Sequence, residues 1–274
     1  MTDQELVKAA LAEDLAGGVD ITSHATIAEN ATSTADFVAR MDGVIAGISL
    51  THAVLNEVGL TDIKLLKKDG DQVKAGDVLV TVRGNTRAIL LAERTALNFF
   101  GHLSGIATLT SKWVSEVAGT KCQVRDTRKT TPGMRTIEKY AVRMGGGTNH
   151  RMNLSDAALI KDNHIAAAGG VVSAFSQVRA AYPSAEIEIE VDTLQQLQEV
   201  LPQKPDLVLL DNMSPEQCAQ AVALVGGICK LEASGGISIV NARAYAQSGV
   251  DYIAIGALTH SAPVFDIGLD LRAE

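Results

Sequence analysis

The C-terminal half of the chain alternates between short apolar runs and longer helical segments, and this alternation limits the possible folds more than any other feature. It is typical of a parallel sheet whose strands are joined by crossover helices. Six units are too few for a closed eight-stranded barrel, so we expect an incomplete (β/α) barrel or an open sheet. The six runs are 121–126, 157–161, 186–191, 206–211, 229–233 and 251–255.

Polar residues and glycines follow the predicted strands. Ligands bind at the carboxyl ends of parallel strands, in barrels and in open sheets alike. We therefore expect the ionisable residues of this half to gather at one rim. The segments concerned are 126–129, 161–164, 190–192, 211–212, 234–236 and 256–257.

The segment 125–164 is basic although the protein is acidic. It holds eight of the 24 Lys and Arg residues and four of the 32 Asp and Glu residues, in a chain of net charge −8. The pI of about 5.3 argues against a general nucleic-acid binder, and a local excess of cations favours a small anion. For Arg135, Glu138, Lys139 and Arg143, which lie at helical spacing, a solvated helix face is instead the favoured interpretation.

Two glycine segments at the rim are suited to a phosphate group. The segments 234–236 and 256–257 each open a turn or helix after a strand, where backbone N–H groups bind phosphate well. Each also fits a simple tight turn. Their position after the last two strands is typical of barrel phosphate sites and favours the phosphate interpretation.

Acids and cations also meet at this rim. Glu190 and Asp211 are hard oxygen donors for Mg²⁺ or ribose hydroxyls, with a structural salt bridge as the alternative. Glu186, Glu188 and Glu190 alternate along one strand, so we expect them to share one face and to need nearby cations. Guanidinium groups match carboxylates, and lysine supplies a point charge for phosphate. The candidate cations are Arg128, Lys129, Arg151 and Lys161, with His150 beside them.

Residues 1–105 have mixed helical and strand-like character, which predicts an α+β unit. Its paired Gly turns at 69–70 and 75–76 resemble half of a biotinyl or lipoyl carrier, but no lysine lies in the tight hairpin that a carrier needs. From Thr86 to about Val117 the chain favours a helix, with predicted interruptions at Gly101 and Gly105.

Cysteine usage and the N-terminus predict a cytoplasmic protein without a membrane span. Cys122, Cys218 and Cys229 are odd in number and widely spaced, so we interpret them as buried small residues in a reducing compartment. The N-terminal segment has a helix-capping pattern and lacks the regions of a signal peptide. No apolar run approaches the length of a membrane helix.

Eight motifs in a fixed order extend over most of the chain from about Glu93 onward. They are D-T-R-K-T-T-P-G, E-K-Y-A-V-x-x-G-G-G, N-H-R-M, L-I-K-D-N-H, E-V-D-T, L-L-D-N, S-G-G-I and G-A-L-T-H. Together they resemble the quinolinate phosphoribosyltransferase family, and such a set is far more specific than any single short motif. The first eighty residues match this family less distinctively.

With the βα alternation, the resemblance implies an α/β protein of two domains. An N-terminal α+β open-faced sandwich over 1–105 is expected to precede an incomplete (β/α) barrel of about six parallel strands over 106–274. The tail at about 262–274 is expected to pack back on the N-terminal domain.

The resemblance also implies a reaction, in which quinolinate and phosphoribosyl pyrophosphate give nicotinate mononucleotide, CO₂ and pyrophosphate. The partners would be these two small molecules and a second copy of the chain in a homodimer, or a higher homo-oligomer, with Mg²⁺ as cofactor. Neither nucleic acid nor a membrane is expected to take part. Most of the catalysis would come from positioning and electrostatics.

The family's site residues map onto named positions of this sequence. Quinolinate carboxylates and neighbouring phosphates would be bound by Thr127, Arg128, Lys129, His150, Arg151 and Lys161, and by Arg94 from the other subunit. Ribose and Mg²⁺ would be bound by Glu190 and Asp211, which with Lys129 and Lys161 form the predicted catalytic set. The 5′-phosphate would be bound by Ser234, Gly235, Gly236, Gly256, Ala257 and His260.

Two rival functions remain open from the sequence. A phosphoribosyltransferase acting on nicotinate itself needs fewer cations than this rim offers, so a dicarboxylate fits better. A non-catalytic sensor of a phosphorylated ligand would not need the acidic pair beside the basic cluster. Fold analogy alone decides neither alternative.

Overall fold

The structure, a computed structural model, describes residues 2–273. Its helices are α1 Asp3–Leu15, α2 Ile21–Thr26, α3 Ile48–Glu57, α4 Thr86–Glu116, α5 Arg135–Met144, α6 Asp162–Ala168, α7 Val171–Ala181, α8 Leu194–Val200, α9 Pro215–Val225, α10 Ala242–Gln247 and α11 Ala257–His260. Its strands are β1 Thr32–Ala39, β2 Gly43–Val44, β3 Asp62–Leu65, β4 Gln72–Val73, β5 Val78–Asn85, β6 Gln123–Arg125, β7 Ala158–Ile160, β8 Ile187–Val191, β9 Leu207–Asp211, β10 Lys230–Ser234, β11 Tyr252–Ala254 and β12 Ile267–Ala273.

The chain divides into two compact units that are not contiguous in sequence. The first unit holds the chain up to Ser111, the segment Pro132–Gly146 and the chain from Ser261 onward. The second unit holds Lys112–Thr131 and Gly147–His260. The sequence predicts a single boundary near residue 105, so the assignment of 132–146 to the first unit differs from that expectation.

Contacts of α5 explain why 132–146 belongs to the first unit. His102 Nε2 lies 2.9 Å from Glu138 Oε1, and the Tyr140 hydroxyl donates to Asp69 Oδ2 over 2.8 Å. Glu138 and Lys139 are fully buried. The interpretation of these two charges as part of a solvated helix face is therefore wrong, because local spacing carries no information on partners distant in sequence.

An antiparallel sheet with the strand order β12-β1-β5-β3 forms the framework of the first unit. Phe37 on β1 lies opposite Leu269 on β12 and Val80 on β5, and both Phe37 and Val80 are fully buried. The tail from residue 267 thus forms an edge strand of this sheet, in the region where the sequence predicts it to pack back.

Helix α4 runs without a break through Gly101 and Gly105, so the predicted interruptions are wrong. A Cβ at Gly105 would lie 2.1 Å from the carbonyl oxygen of Pro263, and one at Gly101 would lie 2.9 Å from that of Phe265. The Phe265 amide donates to the Gly101 carbonyl over 2.9 Å. The two glycines therefore allow the segment 263–265 to lie directly against the helix.

The second unit contains a six-stranded parallel sheet with the order β6-β11-β10-β9-β8-β7. The predicted incomplete barrel of six parallel strands after an N-terminal α+β sheet is confirmed. Its strands are rich in β-branched and leucine residues, as expected where both sheet faces are covered. Ile189, Val208 and Ile253, on three of these strands, are fully buried.

Side-chain caps start two of the crossover helices soon after their strands. Thr193 accepts a hydrogen bond from the Gln196 amide at α8, and Ser214 accepts one from the Gln217 amide at α9. In both cases the glutamine side chain completes a capping box. These two helix starts lie soon after β8 and β9 end, and so they help to define the rim at these strands.

None of the helices in residues 2–273 is both long enough and apolar enough to span a lipid bilayer.

Candidate active site

A cavity of about 650 Å³ opens at the carboxyl ends of the parallel strands, within the second unit. Fourteen of the predicted site residues line this cavity, and one does not: Arg94 is exposed on α4. The roles given to all of them remain predictions. The fourteen are Thr127, Arg128, Lys129, His150, Arg151, Lys161, Glu190, Asp211, Ser234, Gly235, Gly236, Gly256, Ala257 and His260.

Two guanidinium groups lie close together in the cavity wall. Burial lowers the pKa of Arg151, and the charge of nearby Arg128 lowers this pKa further. Arg151 Nη1 donates to the carbonyl oxygen of Ala157 over 2.8 Å, which fixes one side of its guanidinium. Two like charges that line one cavity favour a ligand with at least one carboxylate.

The loop after β6 is tied to α11. The Thr259 hydroxyl donates to the carbonyl oxygen of Lys129 over 2.8 Å, and the Lys129 amide donates to the Thr127 hydroxyl over 3.1 Å. A Cβ at Gly256 would lie 3.1 Å from Lys129 Cδ and 3.2 Å from His260 Nε2. The absence of a side chain at Gly256 thus lets a lysine and a histidine approach the same point.

The predicted acidic pair lies at the rim with a lysine beside it. Lys161 Nζ donates to Glu190 Oε2 over 2.5 Å. Glu190 thus forms a salt bridge, the alternative that the sequence left open beside metal or ribose binding. Asn212 donates to Asp211 Oδ2 over 2.6 Å. Burial raises the pKa of Asp211, and the charge of Glu190 raises this pKa further. Two carboxylates in mutual repulsion are suited to a hard divalent cation or to ribose hydroxyls.

The glycine turn after β10 depends on backbone conformations that favour glycine. Gly235 and Gly236 have φ values of +84° and +63°. A Cβ at Gly235 would also lie 2.2 Å from Asn212 Oδ1. The Asn212 amide donates to the carbonyl oxygen of Ser234 over 2.9 Å, so the turns after β9 and β10 pack directly on each other. This close packing shapes one end of the cavity.

A buried polar cluster on the cavity side of the sheet was only partly predicted. Arg125 Nη1 donates to Glu232 Oε2 over 2.9 Å, and His150 Nε2 lies 2.7 Å from Glu188 Oε2. Glu188 and Glu190 share the interior face as predicted, whereas Glu186 precedes β8 and is exposed. Neither Arg125 nor Glu232 was predicted as a site residue. The two-residue spacing of Glu232 and Ser234 along β10 was the available signal, because it places both side chains on one face.

Burial and the charge of Glu188 together raise the pKa of Glu232 to about 7, against the opposing effects of His150 and Arg125. Burial also raises the pKa of Glu188 to about 7, against the opposing effects of Arg125 and Arg151. Together with His150 these acids form the one three-residue group among residues 2–273 whose atoms are close enough to hold a metal ion. The guanidinium of Arg125 already occupies one side of Glu232, so a cation there would have to compete with it.

Comparisons with known proteins agree over nearly the whole chain. The family model "Quinolinate phosphoribosyl transferase, N-terminal domain" matches residues 20–104, and the C-terminal domain model matches residues 106–270. The nicotinate-nucleotide pyrophosphorylase [carboxylating] of Mycobacterium leprae is 50% identical, covering 98% of this chain and 96% of the relative. The probable enzyme of the same name from Bacillus subtilis is 40% identical, covering 94% and 90%.

A solved structure of similar sequence has the same fold. The crystal structure of nicotinate-nucleotide pyrophosphorylase from Ehrlichia chaffeensis matches with a TM-score of 0.95 and 40% identity, covering 99% of both chains. The similarity therefore extends over both compact units.

Proposed function

Because the chain belongs to the quinolinate phosphoribosyltransferase family, we propose that it is the enzyme that makes nicotinate mononucleotide, CO₂ and pyrophosphate from quinolinate and phosphoribosyl pyrophosphate. This reaction is a step of de novo NAD biosynthesis. The single observation that best supports it is the cavity that combines paired arginines, an acid pair and two glycine turns.

The arginine pair is suited to the pyridine dicarboxylate. Arg128 and Arg151 present two guanidinium groups, and each group binds a carboxylate through two parallel hydrogen bonds. A monocarboxylate such as nicotinate would leave one of these half-buried charges without a counter-charge, at a cost in free energy. The pair therefore favours quinolinate over nicotinate.

The glycine turns are suited to the 5′-phosphate of the sugar. Backbone N–H groups in the turn 234–236 and at the start of α11 form a concave surface of the kind that binds phosphate oxygens. His260 and Lys129 approach Gly256 from two sides and add donors at the same point.

The acid pair is suited to Mg²⁺ and the ribose. Burial and the charge of Glu190 both raise the pKa of Asp211, and a divalent cation would offset both effects, so the residues present fit the metal that the family implies. Glu190 and Asp211 would hold this ion or the ribose hydroxyls. When bound, Mg²⁺ would neutralise charge on the pyrophosphate group.

The chain's own residues would act by orienting the two substrates. With the carboxylates fixed by Arg128 and Arg151, the ring nitrogen faces the anomeric carbon and attacks it, and the bond to pyrophosphate breaks with its electron pair. The new pyridinium then accepts the electron pair left when the adjacent carboxylate departs as CO₂. A proton forms the new C–H bond, and Lys129 and Lys161 are the candidate donors. No step requires a covalent bond to the protein.

We also propose a homodimer, or a higher homo-oligomer, in which Arg94 of one chain completes the site of the other. Its support is that Arg94 lies in the segment matched by the N-terminal family model yet is exposed and outside the cavity lining of its own chain. The cytoplasmic location stays a prediction, supported by three cysteines that form no disulfide.

The test is an assay of quinolinate with phosphoribosyl pyrophosphate and Mg²⁺, following CO₂ and pyrophosphate together. We expect release of both products in equal amounts with quinolinate and at most weak pyrophosphate release with nicotinate. Arg128→Ala and Arg151→Ala are expected to lower kcat/KM by about 100-fold or more, because each removes a charged contact to the reacting acid. Arg243→Ala, an exposed arginine of the same unit outside the cavity, is the matched control. Wild-type rates in both cavity variants would refute the assignment.

A further inference from the structure

Four polar side chains form the buried cluster on the cavity side of the parallel sheet: Arg125, His150, Glu188 and Glu232. The histidine and both acids are less than a tenth exposed. Within the described part of the chain, Oε1 of each acid is buried without a hydrogen-bond partner. Burying carboxylates in this way costs free energy. The arrangement is therefore not optimised for stability, which points to a functional role.

The two nitrogens of the His150 ring have different partners. Nδ1 accepts a hydrogen bond from the Arg151 amide over 2.7 Å, so Nδ1 carries no proton. Nε2 lies 2.7 Å from Glu188 Oε2 and 3.6 Å from Glu232 Oε1. The ring proton therefore lies on Nε2, pointing at Glu188.

The backbone around His150 is held from β6. The Thr148 amide donates to the Val124 carbonyl over 2.8 Å, and the His150 amide donates to Asp126 Oδ1 over 2.9 Å. Asp126 is itself fully buried. The next amide, that of Arg151, does not follow this pattern, because its acceptor is the His150 ring.

The His150 ring is thus the acceptor that fixes the Arg151 amide where the segment 148–150, held against β6, continues into the cavity wall. We propose that Glu188 is a positioning residue, which holds the His150 ring so that Nδ1 fixes the backbone of Arg151 and aims its guanidinium at the substrate carboxylate. The identity of the substrate carboxylate rests on the proposed function, whereas the geometry of the His150 ring does not depend on it. His150 would then act through Arg151, although it lines the cavity itself.

The two acids of the cluster have different partners. Glu232 is bonded to Arg125 and lies farther from the ring, so it balances the guanidinium charge on β6. Glu188 makes the short contact with Nε2. Loss of Glu188 is therefore expected to release the ring, whereas Glu232 alone is too distant to hold it.

The test combines substrate kinetics with ¹⁵N NMR of histidine-labelled protein, with the His150 signals assigned from a His150→Gln variant. In the wild type we expect a single state, with Nδ1 as acceptor and Nε2 protonated. In Glu188→Ala we expect averaged signals from both nitrogens and a KM for quinolinate about tenfold higher, since small misplacements of a positioning group have effects of at least this size. The KM for phosphoribosyl pyrophosphate should change less than about twofold.

Two further variants keep the test decisive. In Glu188→Gln the carboxamide oxygen still accepts from Nε2, so the ring signals and the KM for quinolinate should stay close to those of the wild type. This variant also serves if Glu188→Ala fails to fold, because an averaged ring in a folded Gln variant would overturn the proposal. Glu186→Gln, on the exposed residue two positions earlier, is the matched control.

An unchanged ring signal and an unchanged KM in folded Glu188→Ala would also overturn the proposal. A wild-type protein that turns over no quinolinate, yet shows the single ring state, would instead refute the proposed function and leave the ring geometry standing. The two failures are therefore distinguishable.

Discussion

Gly235 and Gly236 are neighbours in one turn but differ in what surrounds them. Both have positive φ, a conformation that costs a residue with a side chain about 1–2 kcal/mol. A Cβ at Gly236 would meet nothing within 4 Å, whereas a Cβ at Gly235 would lie 2.2 Å from Asn212 Oδ1 and 3.1 Å from the Asn212 amide nitrogen. Of these two positions, only Gly235 requires glycine both for its backbone conformation and for its close packing.

We expect Gly236→Ala to lower the free energy of unfolding by about 1–2 kcal/mol, the conformational cost alone. Gly235→Ala should lose clearly more, because the turn after β9 must also move. Urea denaturation of the two variants measures the difference directly. Equal losses would show that Asn212 can move without lowering the free energy of unfolding, and that packing between the two turns is loose.

The buried acids Glu188 and Glu232 predict how stability depends on pH. Their pKa is raised from 4.5 to about 7 in the folded state. Between these values the folded protein binds more protons than the unfolded chain, so the free energy of unfolding falls as pH rises from about 4.5 to about 7. Above pH 7 both states are ionised, and the contribution becomes constant.

We expect Glu188→Gln to flatten this fall, because one of the two groups no longer titrates. The exposed Glu186→Gln should retain the wild-type slope. The measurement is the free energy of unfolding in urea at several values between about pH 5 and pH 8. A Glu188→Gln curve parallel to that of the wild type would contradict the buried titration.

At the scale of elements, helix α4 shows how one residue type serves opposite purposes. Glycine lowers helix stability by about 1 kcal/mol relative to alanine, and on that basis the sequence predicts breaks at Gly101 and Gly105. The helix is nevertheless continuous, and both glycines make room for the segment 263–265. Their spacing of four residues, which places them on one face, was the missed signal.

Gly105→Ala is therefore expected to destabilise the protein by about 2 kcal/mol or more, although alanine favours helix, because the new Cβ overlaps the Pro263 carbonyl. Asn98→Ala, at an exposed position of the same helix, is the control and should be neutral or slightly stabilising. Thermal unfolding of both variants gives the comparison. A stabilised Gly105→Ala protein would contradict the close packing of the tail.

Local periodicity was sufficient to predict the parallel sheet and its rim, because the carboxyl ends of parallel strands necessarily meet at one edge. The fourteen cavity residues follow from that rule and from the family resemblance. The burial of Glu138 and Lys139 could not be predicted in this way, because it depends on partners far away in sequence. The Arg125–Glu232 pair was missed for the same reason, since β6 and β10 become near neighbours only through β11.

At the scale of the whole molecule, the proposed exchange of Arg94 between subunits has a specific consequence. In a mixed dimer of Arg94→Ala and Lys129→Ala chains, one of the two sites would contain both wild-type residues and the other would contain neither. We expect such dimers to show about half of the wild-type activity, although each variant alone is nearly inactive. The assay uses two affinity tags to isolate heterodimers. Inactive heterodimers of verified composition would count against a shared site.

The pairing of β12 with β1 affects how the protein is made. Phe37 and Leu269 are partners in one sheet, yet more than two hundred residues separate them. A ribosome adding roughly 5–20 residues per second needs about 10–50 seconds to bridge that interval. During this time the emerging chain carries an unpaired β1 edge. The nascent first unit is therefore most exposed to chaperones and to aggregation before β12 has been synthesised.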